Sequence, residues 1–278
     1  MGFGSFADVD GNKVHYSIWR KTTATTAVAN QWYDDSMLAG VPVANFYAST
    51  PLAAATLPAR EGIRHWPSDG ENHSEHALEV VAWGNSGTLE APATYLLVDI
   101  VMYYPFLDGD STDPQDLDNT ATLPRYVDGK GLRAYIVAQG AGAGLGSYSM
   151  SYTNQDGAAQ TSTGSVVLPT ASAFVMTSSD GVNANQHAPF VPLASGDSGI
   201  RSVEQFTYSV APGGIAALVL CRPVASFVMA EIGTPAETRF YPKMPAIHPD
   251  AFLALLRCPQ VATPNARVLS GMLTTIRS

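Results

Sequence analysis

The hydrophobic and polar positions of this chain alternate in short runs that end at glycine or proline. Residues 148–153 read Y-S-M-S-Y-T, and this period of two is typical of a strand with one buried face. Residues 154–157 predict a hairpin turn, because Asp and Gly tolerate left-handed backbone, and 164–168 is the predicted partner strand. Runs rich in Val, Ile, Tyr, Thr and Phe predict further strands at 13–19, 77–83, 94–104, 132–139, 202–210 and 215–220.

Helical patterns are weak. Residues 112–117 could form one helical turn, with Thr112 or Asp113 as N-cap and Pro114 at the first helical position. The segment HPDAFLALLR at 248–257 fits a short helix or a buried strand, since periodicity does not separate the two.

Many short strands with 24 Gly and 19 Pro between them predict an all-β fold. We expect a β-sandwich or a jelly-roll-like arrangement with little helix and long loops. The even spread of turn residues indicates a single β domain over 1–278, from which an acidic loop insertion at 105–130 could protrude.

The amino-acid composition indicates that the surface carries little charge. Apolar residues make up 46% of the chain and charged residues 14%, where about a quarter is typical. Much of the surface must therefore be small or weakly polar, or covered by other subunits. The net charge of −9 comes from 24 acidic and 15 basic residues, so no basic stripe is available and nucleic acid is not expected as a partner.

No stretch predicts membrane attachment. The first residues, MGFGSFADVD, lack a positive region followed by a long apolar run, so no signal peptide is expected. The apolar run at 91–107 is interrupted by Asp99 and Pro105 and is too short to span a membrane. We expect a soluble protein that is synthesised in a cytoplasm.

Gly196-Asp197-Ser198-Gly199 matches the letters around the nucleophile of chymotrypsin-like proteases. Ile200 and Arg201 follow where that pattern continues with Gly and Pro, and none of the six histidines lies in an Ala-Ala-His-Cys-like setting. We interpret the quartet as a turn in which Asp197 bonds its own backbone and which starts a core hairpin. The sequence predicts no catalytic residue and no enzyme.

An acidic cluster precedes residue 120 and resembles part of a calcium loop, since hard cations bind several oxygen ligands on one short loop. Counted from its first Asp, the EF-hand pattern fails at positions 5, 6 and 12, so the favoured interpretation is a solvated loop or one that pairs with Arg from a neighbour. Calcium binding is the alternative. The cluster consists of Asp108, Asp110, Asp113, Asp116 and Asp118.

His73 and His76 stand three residues apart, with Glu71 and Glu75 alongside. On a helix the two histidines would share a face suitable for zinc, but the segment lacks the His-Glu-x-x-His pattern. An exposed polar loop before the strand at 77 is the favoured interpretation, and no metal or cofactor is predicted.

Two further features favour structural interpretations. Cys221 and Cys258 follow no metal or redox spacing, so two buried thiols are expected, with a disulfide as the alternative. The glycine-rich stretch 139–149 lacks the spacing of a dinucleotide or phosphate loop and predicts a flexible loop or a bulged strand edge.

Several stretches carry a similarity that would span nearly the whole chain: residues 97–126, 31–34 with 40–42, 152–157, 196–203, and 218–223 leading to 231–232. These stretches resemble an uncharacterised family of tailed-bacteriophage virion structural proteins, which are capsid-associated and decoration-like. The resemblance carries over no catalytic or metal residue.

The resemblance implies a virion structural protein without catalysis, located in the virion as a capsid decoration, cement or fibre-base protein. Its partners would be the major capsid protein or neighbouring subunits, and it would assemble as a homo-oligomer. The alternative is a tail-associated receptor- or glycan-binding β-sandwich module that stacks sugars on exposed aromatic rings. The candidate rings are Trp19, Trp32, Trp66 and Trp83.

Overall fold

The computed structural model describes residues 14–23, 28–66, 74–84, 92–168, 176–177, 189–231, 235–240, 243–261 and 267–277. Their regular structure is almost entirely antiparallel β, with one 3-10 turn at Asp35–Met37, and the predicted all-β class is confirmed. The strands are β1 (Val14–Thr23), β2 (Tyr33–Asp34), β3 (Ala39–Val41), β4 (Glu75–Gly84), β5 (Ala93–Asp108), β6 (Gln115–Asp116), β7 (Arg133–Ala138), β8 (Gly144–Asn154), β9 (Ala159–Leu168), β10 (Met176–Thr177), β11 (Ile200–Val210), β12 (Ile215–Met229), β13 (Ala236–Arg239), β14 (Ala246–Ile247), β15 (Leu253–Pro259) and β16 (Arg267–Arg277).

These strands form three sheets. Sheet I has the order β13-β4-β16-β1-β3, and β14 also pairs with β4. Sheet II has the order β10-β7-β12-β5-β15-β2, and sheet III has the order β6-β11-β8-β9. Sheet II is the centre of the fold, because its side chains contribute to all three hydrophobic clusters.

One face of sheet II packs against both other sheets. Near the start of β5, Tyr95 and Leu97 pack with sheet I residues such as Trp19. Further along β5, Val101 and Tyr104 pack with sheet III instead. Strand β5 is consequently buried along most of its length, as expected for a strand covered on both faces.

The opposite face of sheet II is covered by irregular chain rather than by a sheet. Val98 and Ile100 point to this side and pack with Trp32, Met37 and Tyr47 from residues 28–66. A segment without long strands therefore completes the third layer of the core.

All eight predicted strands are present. The ambiguous segment 248–257 contains the start of strand β15, whose seven residues are all buried. The helical turn considered at 112–117 is absent, and the two-residue strand β6 lies there instead. Cys221 and Cys258 are free and buried on β12 and β15, on either side of β5, so the prediction of two buried thiols is confirmed.

The expected core hairpin is wrong. Strands β11 and β12 do not pair, because β11 pairs in sheet III and β12 in sheet II, so the turn between them crosses from one sheet to another.

The glycine-rich stretch is a loop at 139–143 that leads into strand β8, whose register against β11 shifts at Ser147 and Tyr148. The stretch is closely packed, since a Cβ on Gly142 would lie 2.4 Å from the Leu168 Cβ, and one on Gly146 would lie 2.6 Å from the Val210 carbonyl oxygen.

Candidate functional site

The Gly196–Gly199 quartet is a turn that anchors the β8–β9 hairpin. The Asp197 carboxylate accepts hydrogen bonds from the Tyr152 hydroxyl at 2.5 Å and from Asn154 Nδ2 at 2.8 Å. The sequence predicted that Asp197 would bond its own backbone. The structure shows instead that its carboxylate binds side chains of β8. The backbone N–H groups of Ser198 and Gly199 donate to Gln155 Oε1 at 2.9 and 3.1 Å.

Ser198 lacks the setting of an activated nucleophile among the described residues. None of the four histidines that the structure describes is hydrogen-bonded to it. Its neighbour Gly199 is required by packing, since a Cβ there would lie 2.0 Å from the Gly129 carbonyl oxygen. The quartet thus has a defined structural role in joining sheet III to the loop at residue 129.

Two aspartates of the acidic segment, Asp108 and Asp118, stabilise local turns. Asp108 accepts the Asp110 N–H at 2.9 Å, and Asp118 accepts the Thr120 N–H and hydroxyl at 2.8 and 2.6 Å. The two Thr120 hydrogen bonds lower the pKa of Asp118. Within the described ranges, no three acidic, histidine or cysteine side chains are arranged to hold a metal ion.

The segment 105–130 packs against the fold along much of its length. Leu117 and Leu123 are buried in the cluster between sheets II and III. Arg125 reaches Asp99 on β5, with Nε donating to Oδ2 at 2.8 Å and Nη2 donating to Oδ1 at 2.5 Å. The segment expected to protrude therefore supplies a buried ion pair.

Asp99 lies at the boundary between two cores. Along β5 it follows the residues that face sheet I and precedes those that face sheet III. Its carboxylate also accepts the Phe252 N–H at 2.9 Å and the Tyr126 hydroxyl at 3.1 Å. The charged residue that interrupts the apolar run at 91–107 thus connects β5, β15 and the 105–130 segment.

A second buried polar centre joins sheet I to the irregular layer. Lys21 on β1 is 4% exposed, and its Nζ donates to the carbonyl oxygens of Ser36, Leu38 and Pro42 at 3.4, 3.1 and 2.7 Å. Burial lowers the pKa of Lys21 to about 8, so the ammonium remains protonated at neutral pH and can donate to all three carbonyls. Beside it, Asp34 accepts hydrogen bonds from two tyrosine hydroxyls.

The histidine-rich stretch is only partly within the described residues, since His73 and Glu71 lie outside them. Glu75 pairs instead with His65, whose Nδ1 lies 2.7 Å from the Glu75 carboxylate, and the other Glu75 oxygen accepts the Trp66 N–H at 3.0 Å. His65 Nε2 lies 3.1 Å from the Ala251 carbonyl oxygen, so both ring nitrogens face acceptors. The His65 side chain therefore connects sheet I to the chain before β15.

The four tryptophans differ in exposure. Trp19 and Trp32 are buried, and Trp66 lies under the guanidinium of Arg277, 4.3 Å from its Cζ. Trp83 is the tryptophan with a large exposed fraction, 36%, and it lies on the outer face of sheet I.

That outer face carries an apolar surface, which we call the sheet I face. It is defined by strand register: in one row Trp83, Ser270, Arg20 and Val41 lie side by side on β4, β16, β1 and β3. The next row holds Glu237, Val81, Met272 and Ile18, and the third holds Arg239, Glu79, Thr274 and Tyr16.

Large apolar side chains of this face are exposed to solvent. Ile18 is 67% exposed, Tyr16 is 64% exposed and Val41 is 60% exposed. A single exposed apolar residue needs no explanation, but several neighbours on one sheet face are typical of an interaction surface. This face was not among the features predicted from the sequence. The available signal was the pair of large apolar residues Tyr16 and Ile18, two apart on a strand whose other positions include Ser17 and Lys21.

Comparisons with known proteins leave the family open. No family model and no curated protein matches the chain. Among solved structures, a chain from the structure of infectious bursal disease virus Gx strain aligns with 96% of this chain and 82% of its own length, at 9% identity and a TM-score of 0.15. That score is too low to indicate a shared fold. No helix in the described part of the chain has the length and apolar character needed to cross a membrane.

Proposed function

We propose that this protein is a non-catalytic structural component of a bacteriophage particle, most simply a decoration, cement or fibre-base protein on the capsid exterior. The observation that carries the proposal is the sheet I face, where Tyr16, Ile18, Val41 and Trp83 are presented to solvent on a regular sheet. Such a surface suits association with other proteins. The phage setting comes from the resemblance of stretches such as 97–126.

The internal construction supports this proposal. Buried ion pairs at Asp99–Arg125 and Asp35–Arg257 join strands to loops that are distant in sequence. Together with three sheets around shared cores, they give a fold suited to holding a surface in a fixed shape. A subunit that reinforces a particle needs that property.

Mass spectrometry of purified particles tests the proposal. The expected result is this polypeptide in intact virions, at a copy number comparable with the capsid subunits it contacts. Its absence from intact particles refutes a virion role.

A tail-associated receptor- or glycan-binding module is the second candidate. The observation that favours it is the exposure of Trp83 and Tyr16 on one face, since aromatic rings supply apolar platforms for sugar rings. Antibody labelling of whole particles separates the two candidates: capsid labelling supports the first, whereas labelling confined to the tail supports the second.

A further inference from the structure

We infer that the sheet I face binds the same face of a second copy of this chain, around a two-fold axis that runs along β16. This inference deepens the proposed function by naming the partner of the proposed interaction surface.

Under this two-fold operation, apolar residues of one copy face apolar residues of the other copy. A two-fold axis lying between the two faces and along β16 places β4 of one copy over β1 of the other. Val81 then lies opposite Ile18, and Met272 lies opposite its own equivalent. Two sheets packed in this way keep their strands nearly aligned, as the sheets of a β-sandwich do.

The same operation also matches the polar rows. Trp83 comes to lie opposite Arg20, an exposed cation with no ion pair assigned to it among the described residues. Glu79 comes to lie opposite Tyr16, whose hydroxyl can donate to a carboxylate. Each contact occurs twice, as a two-fold interface requires.

The charge distribution favours association of two copies through the sheet I face rather than through the rest of the surface. The chain carries a net charge of −9, so two copies repel each other over most approaches. On the sheet I face, Arg20 and Arg239 balance Glu79 and Glu237, and Arg239 already contacts both glutamates. A neutral, apolar-centred face on an acidic protein is where two copies can meet with the least repulsion.

The area fits a weak, transient dimer. The exposed part of the face is shorter than its strands, because Thr274 and Ile276 of β16 lie on the same side and are only 2% and 0% exposed. About seven residues of each of the three central strands remain, which at about 3.3 Å per residue and 4.8 Å between strands present roughly 350 Å², and the short strands at the two edges add about 100 Å². Roughly 900 Å² over both copies is below the usual range of specific interfaces, which predicts association at high micromolar concentration.

The first experiment uses the full chain in analytical ultracentrifugation over a range of concentrations. We expect a reversible monomer–dimer equilibrium, and Ile18→Lys should raise its dissociation constant at least tenfold. Leu145→Lys is the matched control, because Leu145 is 55% exposed on strand β8 of another sheet, and it should leave the constant within about twofold. Circular dichroism and thermal melts check that both variants are folded.

The second experiment tests the axis. Met272→Cys should crosslink to its own equivalent through a short bis-maleimide, since facing sheets are about 10 Å apart, too far for a disulfide. Cys221 and Cys258 are buried and should not react in the native protein. Leu145→Cys, the control, should give no dimeric product.

The outcomes are decisive for the interface. A protein that stays monomeric to about 1 mM, or a dimer that resists Ile18→Lys and is lost in Leu145→Lys, overturns the inference. Mass spectrometry of particles tests the proposed virion role separately. If the protein is monomeric but present in virions, only the dimer interface is refuted; if it is dimeric but absent from virions, only the virion role is refuted.

Discussion

The contact between Gly271 and Trp19 gives a sharp test of how sheet I is packed. Gly271 on β16 pairs with Trp19 on β1, and the indole lies across the glycine. A Cβ added at Gly271 would lie 2.2 Å from Trp19 Cζ2, 2.3 Å from Cε2 and 2.5 Å from Nε1. Ordinary carbon contacts are about 3.5–4.0 Å, so Gly271→Ala requires the ring to move by more than about 1 Å.

The ring has little space for this movement. Trp19 is 1% exposed, and the cavity that it lines with Lys21 and Pro42 has a volume of only about 10 Å³. Overpacking of a filled core costs about 1–3 kcal/mol, and the rigid indole places Gly271→Ala in the upper half of that range. For a chain of this size the melting temperature should fall by roughly 4–10 °C.

Urea unfolding followed by circular dichroism measures this loss. Gly84→Ala is the matched control on the neighbouring strand, since its Cβ would lie 3.8 Å from the nearest atom, Met229 Cε. Trp19→Phe removes Nε1 and Cζ2, so the double variant Trp19→Phe/Gly271→Ala should lose less stability than the two single changes combined. A Gly271→Ala protein as stable as the wild type would refute the packing described for β1 and β16.

Other predictions concern the buried polar groups. Arg125→Met leaves the Asp99 carboxylate buried without its cation and should lower the free energy of unfolding by about 3–5 kcal/mol in urea titrations; an unchanged midpoint would contradict the buried pair. Lys21→Met leaves three carbonyl oxygens without their donor and should cost about 1–3 kcal/mol by the same assay, whereas a neutral effect would show that water replaces the ammonium. Burial lowers the pKa of both His15 and His248, so as the pH falls from 7 to 5 the unfolded chain gains protons before the native chain and stability should decrease. Replacing both histidines with Gln should reduce that slope in melts at several pH values, and an unchanged slope would assign it to other groups.

The local sequence pattern was sufficient to predict a strand and its buried side where one face of the strand is clearly apolar. Residues 148–153 alternate between buried and partly exposed positions in β8, as their period of two predicted. The turn after them forms at Gly157, which has φ of +81°. Both features depend on contacts between residues near each other in sequence.

Strand β1 shows where pattern misleads. Its alternation places Tyr16 and Ile18 on one face and Ser17, Trp19 and Lys21 on the other, and hydrophobicity favours burial of the first set. The structure buries the second set instead. The ammonium of Lys21 can be buried only because carbonyl oxygens from residues 36–42 surround it, and this arrangement is not visible in β1 itself.

The sequence by itself determined the all-β class and eight of the strands, because period and turn residues are local properties, but it did not predict β16. It favoured two buried thiols over a disulfide, and the structure decided between them by placing β5 between β12 and β15. The tertiary structure alone decided which strands share a sheet, so that β11 and β12 separate, and which charges are buried, as with Asp99. It also decided which side of β1 faces solvent and thereby placed the sheet I face. These choices depend on partners from 15 to more than 200 residues away in the chain, and only their packing and hydrogen bonds determine which alternative has the lower free energy.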